Sequence, residues 1–107
     1  MNQLSVTDLA AWLADPERPK PLLLDVRQPE ELEICVLPGV VAIPMAAVPV
    51  RLAELPEDGD IVVICHHGGR SMQVAMFLEN RGFNAVHNLA GGVNAWAREV
   101  DPSMPTY

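Results

Sequence analysis

The chain has 107 residues, half of them hydrophobic, and a net charge of −7 at neutral pH. This length fits one domain with its own core, and the negative charge excludes nucleic acid as the main partner because phosphate binding requires a basic face. No apolar run approaches the roughly 20 residues that span a bilayer, so we expect no membrane contact, no signal peptide and a cytoplasmic location in which two cysteines stay reduced.

Short apolar segments alternate with segments of helical periodicity along the chain. The segments predicted as strands are residues 4–6, 22–26, 40–43, 61–64 and 85–89. Helices are predicted around Leu9 and Trp12, over 29–33, 45–55 and 71–81, and after the glycine pair 91–92. This alternation is typical of an α/β protein with parallel strands. We expect a single domain over 1–100 and a tail over 101–107 that lies on the surface.

One segment combines a nucleophile with groups that bind anions. Cys65 directly follows the apolar strand 61–64, at the carboxyl end where α/β sheets place their sites. Gly68 and Gly69 allow the next backbone N–H groups to turn inward at a helix N-terminus, which attracts anions and favours a thiolate. Arg70 adds a cation with a planar fork suited to an oxyanion. These residues predict a nucleophilic sulfur inside an anion-binding loop.

The three histidines have less specific interpretations. His66 and His67 are neighbours in the loop, so their rings are expected to point in different directions, and no cysteine or carboxylate cluster accompanies them. A metal site is therefore not expected. Either histidine faces solvent, or one of them contacts the thiolate or an acceptor. His87 lies within a predicted strand and is expected to have a structural role.

Two further groups of residues have both a structural and a functional interpretation. Asp25 and Arg27 end a strand near the same edge of the sheet, where they either support the loop or form a structural ion pair. Cys35 lies in an apolar stretch and is expected to be a small buried residue. A resolving role, closing a disulfide onto Cys65, is the alternative. Trp12 and Trp96, together with Met45, Met72 and Met76, are expected to fill the core.

Four segments in order resemble the single-domain rhodaneses, a family of sulfurtransferases. They are Asp-Val-Arg-x-x-x-Glu at 25–31, Leu-Pro-Gly-Val at 37–40 with Ala-Ile-Pro at 42–44, Cys-x-x-Gly-x-Arg-Ser at 65–71, and Leu-x-Gly-Gly-x-x-Ala-Trp at 89–96. The family often has Gly-His before the Pro-Gly turn, where this chain has Cys35 and Val36. His66 and His67 occupy loop positions that vary in the family and are thought to tune the choice of acceptor.

The resemblance implies a rhodanese-like fold, with a central five-stranded parallel sheet and helices on both faces. It implies transfer of a sulfane sulfur from thiosulfate or a similar anionic donor to cyanide or a thiol, through a persulfide on Cys65. A sulfur-relay protein is a further partner that it suggests, and neither a cofactor nor a metal is required. We expect a monomer. The residues expected to bind the substrate are His66, His67, Gly68, Gly69, Arg70 and Ser71, with Asp25 and Arg27 in support.

Two other functions remain open at this stage. Cysteine phosphatases and arsenate reductases also place a thiolate in an anion-binding loop that ends in arginine. Their loops have five residues between the two, as a family comparison, whereas four separate Cys65 from Arg70 here. A shorter loop is suited to a single sulfur rather than to a tetrahedral phosphate. The other alternative is a slow persulfide carrier, or a regulatory module, that serves a protein partner.

Overall fold

A five-stranded, fully parallel sheet forms the centre of the molecule. The computed structural model describes all 107 residues. The strands lie in the order β1-β5-β4-β2-β3, which confirms the predicted architecture. Their bounds are β1 Asn2–Leu4, β2 Leu22–Asp25, β3 Val41–Ala42, β4 Ile61–Ile64 and β5 Val86–Leu89. The helices are α1 Val6–Ala14, α2 Pro29–Ile34, α3 Gly69–Asn80 and α4 Gly92–Glu99.

The sheet separates two hydrophobic clusters. Helices α1 and α4 cover one face, and α3 covers the other together with two 3-10 helices, Met45–Val50 and Leu52–Glu54. Side chains of the central strand β4 alternate between the clusters, as the two-residue period of a strand requires. Val63 and Cys65 therefore belong to the α3 face, whereas Val62 and Ile64 belong to the α1 and α4 face.

The first strand and the third helical segment differ from the prediction. Strand β1 ends at Leu4, because Ser5 caps α1 by accepting a hydrogen bond from the N–H of Asp8 at 3.1 Å. The segment predicted as one helix over 45–55 forms two 3-10 helices instead. Pro49 lies inside the first of them and has no N–H to donate, which prevents a continuous α-helix.

The prediction that Met72 and Met76 fill the core is wrong. They are 37% and 52% exposed, respectively. The buried stripe of α3 consists of Ser71, Val74, Ala75 and Leu78. Since the methionines lie four residues apart, they share a neighbouring stripe that turns away from the sheet. Both tryptophans are buried as predicted, and Met45 is partly buried against the core.

No helix of this structure combines the length and the apolar character needed to cross a bilayer.

Candidate functional site

The sulfur of Cys65 lies in a backbone cradle at the N-terminus of α3. Strand β4 ends one residue before Cys65, whose residue surface is only 1% exposed. The Sγ atom accepts hydrogen bonds from the N–H groups of Gly68 at 3.1 Å and Ser71 at 3.3 Å. Both donors lie in the turn that opens α3, where the helix dipole adds a positive field. This arrangement favours negative charge on the sulfur.

A buried polar chain continues from the sulfur into the sheet. The Oγ atom of Ser71 lies 3.2 Å from Sγ and donates to the Oδ1 of Asn88 at 2.5 Å. The amide nitrogen of Asn88 then donates to the carbonyl of Gly68 at 3.2 Å and to Gln3 at 2.9 Å. Strand β5 therefore fixes both the hydroxyl beside the sulfur and the turn above it. Sequence reasoning placed Ser71 in the site but did not identify Asn88.

The start of α4 fixes the other side of the loop. The N–H groups of Val93 and Asn94 donate to the carbonyls of Cys65 and His66, both at 3.0 Å. Gly92 has φ +58°, and a Cβ atom there would lie 2.4 Å from each of these carbonyl oxygens. Only glycine fits such an approach. The glycine pair of the C-terminal motif therefore serves the loop directly, a role that its position in the sequence does not show.

Arg70 is paired with a carboxylate of α2. Its Nη1 and Nη2 atoms donate to the two carboxylate oxygens of Glu31, each at 2.8 Å. Glu31 also accepts from the N–H of Gln28 at 2.9 Å and from the Tyr107 hydroxyl at 2.8 Å. The hydrogen bonds from Arg70 lower the pKa of Glu31 to about 2, although burial opposes the shift. Sequence reasoning missed Glu31, which is the glutamate of the motif over 25–31.

Asp25 and Arg27 form a fully buried ion pair with no direct hydrogen bond to the Cys65 loop. The Arg27 guanidinium donates to Asp25 at 2.7–3.1 Å and to the carbonyl of Cys35 at 2.8 Å. Burial alone would lower the pKa of Arg27, but hydrogen bonds to Asp25 and Tyr107 outweigh burial and raise it. The Nη1 atom of Arg27 lies 3.0 Å from the Tyr107 hydroxyl. Asp25 and Arg27 therefore form an ion pair, and the Tyr107 hydroxyl links Arg27 to Glu31.

Three aromatic rings pack together beside the loop. The His66 ring lies 3.8 Å from the Tyr107 ring, nearly parallel at 11°, and 3.9 Å from the His67 ring at a tilt of 37°. The prediction that the two histidines point in different directions is therefore wrong, because Tyr107 packs on His66 and the loop turns both imidazoles together. Burial lowers the pKa of His66, and the neighbouring His67 lowers it further. The Nε2 atom of His66 is buried and has no hydrogen-bond partner.

The contacts of Cys35 and His87 indicate structural roles. Cys35 is 7% exposed, as predicted for a small buried residue, and it is a free thiol, as is Cys65. It packs in the hydrophobic cluster on the opposite face from Cys65. His87 pairs with Asp60 at 3.0 Å and meets the Trp12 ring edge-on, in agreement with a structural role.

The described side chains offer no metal centre. No group of three or more histidine, cysteine or carboxylate side chains converges to hold an ion. An apolar cleft of about 220 Å³ lies between the first 3-10 helix and α3, lined in part by Val48, Val74 and Phe77. None of its lining residues belongs to the Cys65 loop. This cleft is therefore separate from the cradle around the sulfur.

Comparison with known proteins gives a consistent result. A family model described as "Rhodanese-like domain" matches residues 5–99. An Allochromatium vinosum protein named "Sulfurtransferase" is 39% identical over 102 residues, which are 95% of this chain and 94% of that protein. The chain also matches an Arabidopsis thaliana protein, "Rhodanese-like/PpiC domain-containing protein 12, chloroplastic", at 39% identity over 112 residues. It spans only 38% of that relative's length.

A solved structure has the same fold. The crystal structure of a rhodanese-like domain protein from Staphylococcus aureus superimposes with a TM-score of 0.84. The two sequences are 27% identical, and the match covers 100% of this chain and 99% of the other.

Replacing Gly92 tests the close approach between α4 and the loop. Gly92→Ala places a methyl group against two carbonyl oxygens and forces alanine into a left-handed conformation. We expect it to lower the free energy of unfolding by more than about 2 kcal/mol. Gly69→Ala is the matched control, because its Cβ meets no atom within 4 Å, and it should change stability by less than about 1 kcal/mol. Urea denaturation measures both, and equal losses would contradict the account.

Removing the charge of Glu31 tests the pairing with Arg70. A carboxylate whose pKa is depressed from 4.5 to about 2 stabilises the fold above pH 4.5, and this contribution is lost as the pH falls through 2. Glu31→Gln should therefore be less stable than wild type at about pH 6, by on the order of 1 kcal/mol because Arg70 is partly exposed. The difference should shrink steadily below about pH 4.5.

The control for this comparison is Glu33→Gln, an exposed position of the same helix. Denaturation curves across this pH range should show a small, constant difference for Glu33→Gln. A difference for Glu31→Gln that is equally constant would show that the ion pair contributes nothing to stability.

Proposed function

This chain belongs to the rhodanese-like family, and from that membership we propose that it is a sulfurtransferase that carries sulfur as a persulfide on Cys65. The observation that carries the proposal is the sulfur cradle. The Sγ atom of Cys65 accepts hydrogen bonds from two backbone N–H groups at the N-terminus of α3. A thiolate and a terminal persulfide are both anions that such donors stabilise.

The reaction follows a ping-pong sequence in two substitutions. The Cys65 thiolate attacks the outer sulfur of thiosulfate, the S–S bond of the donor breaks, and sulfite leaves with the bonding electron pair. Cys65 then holds a persulfide anion, so charge is conserved. In the second step a nucleophilic acceptor such as cyanide attacks the outer sulfur, thiocyanate forms and the thiolate returns. Covalent catalysis divides one transfer into two easier steps.

The loop supplies the groups that this sequence needs. The N–H groups of Gly68 and Ser71 line the cradle, Gly69 lies between them in the turn, and the Ser71 hydroxyl lies 3.2 Å from the sulfur. Arg70 orients the anionic donor, with Glu31 holding its guanidinium in place. His66 and His67 lie in the same loop and contact the incoming acceptor. No organic cofactor or metal takes part, and the proposed setting is the cytoplasm, where thiols stay reduced.

A second function is favoured by the burial of the nucleophile. Cys65 is 1% exposed, so a persulfide formed there would be shielded from adventitious thiols. That shielding suits a carrier that releases sulfur only to a protein partner of a sulfur relay. The two functions share the persulfide and differ in how fast small acceptors discharge it.

Steady-state turnover of thiosulfate with cyanide tests the enzymatic proposal. Thiocyanate formation should show the parallel double-reciprocal lines of a ping-pong reaction, and Cys65→Ala should reduce it to the uncatalysed background. Cys35→Ser is the matched control, because it removes the other thiol and should retain turnover.

A persulfide that forms but is discharged only slowly by cyanide would favour the carrier. Turnover that survives in Cys65→Ala would contradict both functions, and release of phosphate from an aryl phosphate would favour a phosphatase.

A further inference from the structure

Tyr107 contacts one end of the Cys65 loop directly and is linked to the other end through Glu31. The ring stacks on His66, directly after Cys65, at 3.8 Å. The hydroxyl donates at 2.8 Å to Glu31, the carboxylate that pairs with Arg70 at the other end. The tail that was expected merely to lie on the surface therefore returns to the candidate site.

The hydroxyl of Tyr107 occupies a fixed place in a chain of ion pairs. It accepts from the buried guanidinium of Arg27 at 3.0 Å while it donates to Glu31. Asp25 and Arg27 are fully buried and cannot follow a moving partner. A hydroxyl that bridges an immobile cation and a carboxylate restricts that carboxylate. Glu31 in turn determines where the guanidinium of Arg70 lies.

The ring of Tyr107 restricts His66, as its hydroxyl restricts Glu31. An aromatic face at 3.8 Å and 11° leaves the imidazole little freedom to rotate. The Nε2 atom of His66 is buried without a hydrogen-bond partner, and the His67 ring packs on the same imidazole at 3.9 Å. The stack on Tyr107 thus restricts the orientation of the His66 ring above the loop.

We propose that Tyr107 is a positioning residue of the sulfur-transfer site, holding His66 with its ring and the Glu31–Arg70 pair with its hydroxyl. The inference rests on the proposed function, because its consequence is for donor binding. The sulfur cradle itself depends on α3 and α4 and does not involve Tyr107. Loss of Tyr107 should therefore weaken binding of the donor while the chemical step at the bound donor continues.

Three variants separate the two contacts. Tyr107→Phe keeps the aromatic stack and removes the hydroxyl, whereas Tyr107→Leu removes both. Thr106→Ala is the control, because Thr106 is exposed in the same tail and its side chain makes no hydrogen bond in the structure. Circular dichroism with thermal unfolding identifies any variant that fails to fold. If Tyr107→Leu fails to fold, Tyr107→Phe still tests the proposal, because it removes only one oxygen atom.

Single-turnover persulfide formation, followed at increasing thiosulfate concentration, measures the functional effect. The half-saturating concentration should rise about fivefold in Tyr107→Phe, the loss typical of one intramolecular hydrogen bond. It should rise further in Tyr107→Leu, while the maximal rate stays within about twofold of wild type in both. Thr106→Ala should behave as wild type. A lower maximal rate at an unchanged half-saturating concentration would overturn the proposal, as would equal effects in all three variants.

Proton NMR of the His66 ring supplies a readout that requires no sulfur transfer. Stacking on an aromatic ring displaces the imidazole proton signals, so the displacement should persist in Tyr107→Phe and disappear in Tyr107→Leu. If wild type forms no persulfide, the proposed function fails while the NMR result still reports the contact. If wild type forms a persulfide and the His66 signals are identical in Tyr107→Leu, the positioning role of the ring is refuted.

Discussion

The close approach of α4 to the Cys65 loop is the constraint on which the site depends. A loop that turns its N–H groups towards a sulfur leaves its own carbonyls without partners, and buried carbonyls need them. Val93 and Asn94 provide those partners at the start of α4, and the absence of a side chain at Gly92 lets the two backbones meet. The N–H groups that point at the sulfur and the carbonyls that accept from α4 therefore depend on the same conformation of the loop.

The charges around the site form a nearly neutral chain despite the net charge of −7. Asp25 balances Arg27 and Glu31 balances Arg70, with the Tyr107 hydroxyl between the two pairs. Buried or half-buried charges are tolerated in this way because each has a partner and additional hydrogen bonds. The electrostatic attraction for an anion at the sulfur thus comes from backbone N–H groups and the α3 dipole, with Arg70 held at the rim.

The sequence was sufficient to predict the parallel α/β sheet, because short apolar segments alternate with helical ones. It also predicted the position of Cys65, because this residue directly follows the apolar strand 61–64. It could not predict that Tyr107, in a tail rich in proline, would stack on His66, since this contact joins residues 41 positions apart without any periodic signal. The exposure of Met72 and Met76 was missed because hydrophobicity alone does not identify the buried stripe of a helix. Pro49 did carry a signal against a continuous helix over 45–55.

Intact-protein mass spectrometry after incubation with excess thiosulfate tests whether Cys65 carries a persulfide. Wild type should gain the mass of one sulfur atom, cyanide should remove it, and Cys65→Ala should gain none. No adduct on a protein whose Cys65 is shown to be free and reduced would contradict transfer from thiosulfate. An adduct that persists in Cys65→Ala would place the sulfur elsewhere and contradict the assignment of the cradle.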